Sequence, residues 1–249
     1  MPRRRALYVT FSMLAACLMA RAADGEVIKL VSGDLLPYAA RELPGGGMLA
    51  EVVQWAFKRV GVGTTLDWMP WKRGYELTRI AQFDATFPYA RKPDREQEFF
   101  YSDLLVGGVR SIYARPDTGI DPASMGTFRG KRYCVPNGFI IYPQMDVLLQ
   151  EGALKINRPA SLATCAKMVA LDRADFYLTE STAGDAALLQ ADVGAAVIRL
   201  PKPFERAEYY LIVSRSHPEG AALIVQFNRG LKLLKASGDY QRIVKQRQH

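Results

Sequence analysis

Histidine and cysteine are scarce in this chain. Its 249 residues include two histidines and three cysteines, which leaves most common catalytic and metal chemistries without ligands or bases. His217 precedes Pro218 in a turn-like stretch and His249 is the last residue. A zinc site of the usual His/Cys type therefore lacks ligands, and a Ser-His-Asp triad has one poorly placed base. Gly45-Gly46-Gly47 is not followed by the Gly-Lys-Ser/Thr of a phosphate-binding loop, so it reads as a flexible turn. No cofactor or metal is expected. Beyond the N-terminus no run of clustered Lys or Arg occurs, which argues against a nucleic-acid partner. No apolar run reaches the roughly 20 residues of a membrane-spanning helix.

The N-terminus carries what the rest lacks. Arg3, Arg4 and Arg5 precede an apolar stretch over residues 6–20, interrupted only by Thr10 and Ser12. Ala20-Arg21-Ala22 then places small residues at the two positions a signal peptidase reads. This layout predicts a secretory signal peptide over residues 1–22 and a soluble, periplasmic mature protein. Leu14-Ala15-Ala16-Cys17 offers an alternative, a lipoprotein anchored through Cys17, but the apolar run continues past that cysteine and no polar tether follows it. The formal net charge of +8 includes four arginines from this segment and no acid, so the mature chain carries +4. That scattered charge reads as a solvated surface.

The mature length suits two lobes of about a hundred residues each. Residues 26–31 read as a strand. Leu49, Val52, Val53, Ala56, Phe57 and Val60 recur at helical spacing, with Gly61 in the place of a C-cap. Residues 64–68 and 85–87 read as strands with a helix from about Gly74 to Ala81 between them. A second β/α unit follows: strands near 130–135, 155–158 and 175–179, a helix near 143–150, and another capped by Ser161. Residues 209–213 form a further strand, and two C-terminal helices carry Leu223, Phe227, Leu231 and Leu234, then Tyr240, Ile243 and Val244. Such alternation predicts largely parallel sheets covered by helices, and two units of this kind leave a cleft between them.

Over residues 26–247 the chain resembles the family 3 extracellular solute-binding proteins, which include the periplasmic amino-acid receptors of ABC transporters. The strongest piece is the segment Arg91-Lys92-Pro93-Asp94-Arg95-Glu96-Gln97-Glu98-Phe99-Phe100-Tyr101-Ser102-Asp103. Gly130-Lys131-Arg132, Arg173-Ala174-Asp175 and Ser237-Gly238-Asp239-Tyr240 support it by their order. The resemblance implies an α/β fold of periplasmic-binding-protein type 2, with hinge-connected lobes and a central cleft. Lobe one would comprise residues 23–112 and 206–249, and lobe two residues 113–205.

The resemblance also implies the site. Arg95 would grip a ligand carboxylate, a task suited to the guanidinium fork; the alternative is that it pairs with Asp94 or Glu98 on a solvated helix face. Glu180 would meet a ligand ammonium from lobe two, or else serve as helix N-terminal charge, since Glu180-Ser181-Thr182 can begin a helix. Asp34, Tyr38, Trp71 and Tyr89 are the other lobe-one candidates, and Trp68 and Trp71 flank Pro70. Asn137, Gly138 and Phe139 form a strand-to-helix loop whose backbone amides suit an anion. The chain departs from the amino-acid receptors at Phe87-Pro88-Tyr89-Ala90 and Phe139-Ile140, where they carry small hydroxyl residues. These departures predict a bulkier, more apolar pocket.

After processing, only Cys134 and Cys165 remain, and in an oxidising compartment an isolated pair reads as a disulfide. The expected protein is a non-catalytic, monomeric receptor that closes on a small polar, amino-acid-like or organic-acid ligand and delivers it to an ABC-type membrane permease. Two other roles fit the resemblance: a periplasmic dehydratase using Glu180 as acid, and the input module of a sensor.

Overall fold

The computed structural model describes residues 27–246; the predicted signal peptide, its predicted cleavage site and Cys17 lie outside them. Strand β1 (Val27–Ser32) lies between β2 (Gly63–Trp68) and β3 (Ala85–Tyr89), parallel to both. Parallel neighbours need crossovers, which helices α1 (Met48–Lys58) and α2 (Trp71–Arg79) supply. Helix α1 buries Leu49, Val52, Val53, Ala56 and Phe57, the face marked by their spacing. Helix α2 starts directly after Pro70, three residues earlier than the apolar pattern suggests, because proline's fixed φ suits the position before a first turn. That early start puts Trp71 in the first turn, at the carboxyl ends of the strands.

Helix α3 (Pro93–Glu98) leads into the short strand β4 (Phe99–Tyr101). Two long strands, β5 (Val106–Ala114) and β10 (Glu205–Ser214), then tie the molecule together. Residues 106–110 of β5 pair antiparallel with 205–209 of β10. Beyond that ladder β10 continues against β3 and β4, while β5 continues against β8 (Phe176–Glu180) and β9 (Ile198–Arg199). The resulting order is β2-β1-β3-β10-β5-β8-β6-β7, two α/β lobes joined through one two-stranded ribbon. The boundaries at 112/113 and 205/206 expected from sequence fall within β5 and at the start of β10.

The second lobe pairs β6 (Arg132–Cys134) in parallel with β7 (Lys155–Asn157) and β8. Around this sheet lie α4 (Pro143–Gln150), α5 (Leu162–Ala170) and α6 (Ser181–Ala191). Side chains alternate between faces along each strand. Ile112, Tyr133, Phe176 and Leu178 pack with Phe128, Met145 and Leu148, while Tyr113, Cys134 and Tyr177 join the core that contains Leu162, Cys165 and Ala187. Ser161 caps α5 as expected, its Oγ accepting from Thr164 N at 3.2 Å. Helices α7 (Gly220–Ala236) and α8 (Asp239–Gln246) return to the first lobe, where α7 sets Phe227 against Phe57 of α1.

Cys134 and Cys165 are joined by a disulfide, 31 residues apart in sequence, pinning α5 to β6. Replacing both by serine removes a constraint on the unfolded chain worth about 3 kcal/mol. Urea denaturation of the double variant should show that loss with an otherwise cooperative transition.

Candidate functional site

The carboxyl ends of the strands in the two lobes face one another, the position where open α/β sheets bind ligands. Lobe one contributes Leu35 after β1, Trp71 after β2, Pro88 and Tyr89 at the end of β3, then Ala90 and Arg95. From across the cleft come Gly138, Phe139, Ile140 and Tyr142 after β6 and Thr179 at the end of β8, with Tyr209 rising from the joining strand β10. Together they line a partly open cavity of about 40 Å³, enough for a compact group. Pro88 stands in an interior strand although it has no N–H to give the ladder. The β3–β10 pairing accommodates it with a register irregularity between Tyr210 and Ile212.

The lobes meet over this cavity. The Trp71 and Phe139 rings pack edge to face at 5.7 Å. Gly138, with φ of +85°, comes so close to the first turn of α2 that an added Cβ would stand 2.7 Å from Trp71 Cβ and 2.8 Å from Lys72 N. Trp71 is itself fixed, donating from Nε1 to the Asp34 carbonyl at 3.3 Å and lying edge-on to Tyr89 at 5.6 Å. Gly33 makes room for it: a Cβ there would overlap the indole at 2.5 Å.

Arg95 occupies one wall. Its Nη1 donates to the Ala90 carbonyl at 2.7 Å, and its guanidinium lies over Tyr89 at 4.8 Å and Tyr75 at 5.3 Å. Burial raises the ionisation of both phenols above their usual range, with the hydrogen bond to Glu98 adding to the effect at Tyr75. Neutral ring faces therefore sit beneath the cation. The neighbouring acids are engaged elsewhere: Asp94 pairs with Lys92 at 3.2 Å, Glu96 with Arg91 at 2.7 Å, and Glu98 accepts from Tyr75 Oη at 2.6 Å. Arg95 Nε is buried without a hydrogen-bond partner among the described residues. A buried guanidinium edge lacking a partner is costly to keep, and a carboxylate is its natural complement.

Glu180 stands apart from that wall. It is 3 % exposed and takes the helix-capping alternative, accepting from Ala183 N at 3.2 Å at the start of α6. Its carboxylate also accepts from Tyr38 Oη at 2.8 Å across the lobes. Glu180 and Tyr38 line a separate depression with Met48 and Gly108, while Thr179, one residue earlier on β8, lines the Arg95 cavity. Burial, followed by the Glu180 charge, keeps the Tyr38 hydroxyl protonated far above its usual range. It is a committed donor to that acid. Tyr38→Phe should remove about 1.5 kcal/mol from the closed arrangement. X-ray scattering of the ligand-free protein is expected to show a larger radius of gyration for the variant than for the parent.

Two further candidates also fall outside the cavity. The Asp34 carboxylate turns toward Arg41, accepting from its backbone N at 3.2 Å, so Asp34 serves the site only through its carbonyl. Asn137 N donates to Pro159 O at 2.8 Å and Phe139 N to Pro136 O at 3.0 Å. Those two amides are therefore already used, and neither is free to receive an anion as expected from sequence. Trp68 packs against the core. Of the predicted residues, Arg95, Trp71, Tyr89, Gly138 and Phe139 converge. Thr179, Tyr142 and Tyr209 were not foreseen as site residues: no local pattern marks the tyrosines, and Thr179 was hidden by the charge next to it.

The chain has a two-lobed α/β fold of the periplasmic-binding-protein type. No protein-family model matches the chain, and no curated protein matches it in sequence. Solved structures do. A histidine kinase sensor domain with similarity to periplasmic binding proteins superposes with a TM-score of 0.76 at 15 % identity, over 89 % of this chain and 96 % of that one. An ancestral arginine-binding protein bound to arginine gives 0.75 at 16 %, over 88 % and 97 %. The substrate-binding protein of an amino-acid ABC transporter gives 0.71 at 18 %, over 88 % and 98 %. At these identities the likeness is one of fold.

Proposed function

We propose that the protein is an exported receptor that captures a small organic anion between its lobes by hinge closure and delivers it to an ABC-type membrane permease. The observation that carries this reading is Arg95: a guanidinium on the wall of an interlobe cavity, its Nε buried and unpartnered, with no ion pair among the described residues. A carboxylate bound there would complete both the charge and the hydrogen bonds. Closure follows when the ligand binds the closed arrangement better than the open one, and the β5–β10 ribbon is the natural place for the backbone change.

The structural neighbours support binding over catalysis, since those named are substrate-binding proteins and a sensor domain. Against the dehydratase alternative weighs the engagement of Glu180 in capping α6 and in the bond to Tyr38. Export is supported by the N-terminal segment, and among the described residues no helix is long and apolar enough to cross a membrane. The sensor-domain neighbour favours a second outlet for the same capture step, a signalling partner in place of the permease.

Thermal-shift measurements with amino acids, polyamines and small organic acids, followed by X-ray scattering on the strongest hit, test the reading. A rise in melting temperature should accompany a fall in radius of gyration. Stabilisation by polyamines alone, with every anion inert, would remove Arg95 as the anchor.

A further inference from the structure

The polar inventory of the cavity is lopsided. Its lining contains one cation, Arg95, and no carboxylate. Leu35, Trp71, Pro88, Phe139 and Ile140 supply an apolar and aromatic wall, and Thr179 with the tyrosines supplies neutral hydroxyls. Two buried or half-buried acids of the interlobe region, Glu180 and Glu205, are both committed. Glu180 accepts from Tyr38 Oη, Ala183 N and Thr182 Oγ1, and it lines the neighbouring depression. Glu205 is paired with Arg110 at 2.9 Å and accepts from Gln144 Nε2 at 3.2 Å. The Ala90 carbonyl beside Arg95 already accepts from Arg95 Nη1 and from Tyr101 Oη at 3.3 Å.

From this inventory we infer that the ligand is an apolar monocarboxylate with no α-ammonium group. The inference rests on capture at Arg95 and narrows it to a chemical class. A monocarboxylate against Arg95 closes the site at zero net charge. A zwitterionic amino acid closes it at +1, with its ammonium confined beside a guanidinium and facing neutral hydroxyls instead of an acid. A buried charge needs a partner of opposite sign as well as hydrogen bonds, and only the carboxylate end of an amino acid finds one. The apolar wall favours a hydrocarbon body on the remaining side of the ligand.

Matched pairs that differ only in the amino group test this with the unmodified protein. Isothermal titration with 3-phenylpropanoate against L-phenylalanine, 4-methylpentanoate against L-leucine, and butanoate against L-2-aminobutanoate spans aromatic, branched and short bodies. At least one carboxylate is expected to bind ten or more times tighter than its amino-acid partner, and no amino acid to bind as tightly as its own deaminated form. An amino acid that equals or beats its partner overturns the inference, as does silence from all six compounds. Repeating the winning titration on Arg95→Gln separates the two levels of the argument. A winning amino acid that is lost in that variant overturns the ligand class and leaves capture at Arg95 standing. A winner of either kind that is indifferent to the variant overturns capture itself.

Discussion

Arg95→Ala should lower affinity for the strongest ligand by at least about a hundredfold, close to 2.8 kcal/mol, while the ligand-free protein melts within a few degrees of the parent. The asymmetry comes from what Arg95 touches. Its intramolecular partners include the Ala90 carbonyl, the ring faces of Tyr75 and Tyr89, and the hydroxyls of Tyr75 and Tyr101, and cation–π contacts of this kind contribute about 0.5–2 kcal/mol each. Nη1 is given to Ala90 and Nε is buried without a partner, and a carboxylate brought against this guanidinium gains a charge-assisted hydrogen bond, which is a strong contact. Arg95→Lys should recover only a small part of the loss, because an ammonium keeps the charge and lacks the planar fork. Calorimetric titration reads the affinity and differential scanning reads the fold. Unchanged affinity in the alanine variant would show that the guanidinium faces a cavity in which nothing binds.

Why Arg95 was legible and much of the cavity around it was not follows from the range over which sequence patterns act. Helix α1 announced itself through spacing, α5 through Ser161, and the disulfide through the two cysteines left beyond the predicted signal peptide. Each of these signals is local or compositional. The cavity is neither. Tyr142 and Tyr209 reach it from segments remote from the β3 end and from Arg95, and they meet only after β5 and β10 have paired. Glu180 shows a second limit. Side chains on a strand alternate between faces, so an assignment one residue off puts the wrong group in the site. Charge drew attention to Glu180, whereas Thr179 is the neighbour that lines the Arg95 cavity. Asn137 shows a third. The strand-to-helix loop is where expected, but whether its amides are free depends on Pro159 O, 22 residues onward. In contrast, Phe139 and Ile140, read as departures at the pocket, do line the cavity.

Gly138→Ala should abolish most of the binding without touching any group that contacts the ligand's charge. The backbone at Gly138 has φ of +85°, so any side chain there is strained by about 1 kcal/mol, whether the lobes are open or closed. Closure adds a second penalty. The new Cβ would press on Trp71 Cβ at 2.7 Å and on the backbone N of Lys72 at 2.8 Å. Helical backbone in the first turn of α2 cannot swing aside as a flexible side-chain end would. Overpacking of this type costs about 1–3 kcal/mol, and here it falls only on the arrangement in which the lobes meet. Affinity should therefore drop about thirtyfold, and scattering should show that ligand no longer compacts the protein. Gly119→Ala isolates the closure term, because Gly119 also has positive φ, +68°, with nothing within 4 Å of its added Cβ. Both variants are expected to lose similar stability when ligand-free, and only Gly138→Ala to lose binding. Equal affinities in the two would mean that ligand is held without Gly138 ever meeting α2, and hinge closure would no longer be part of how this protein works.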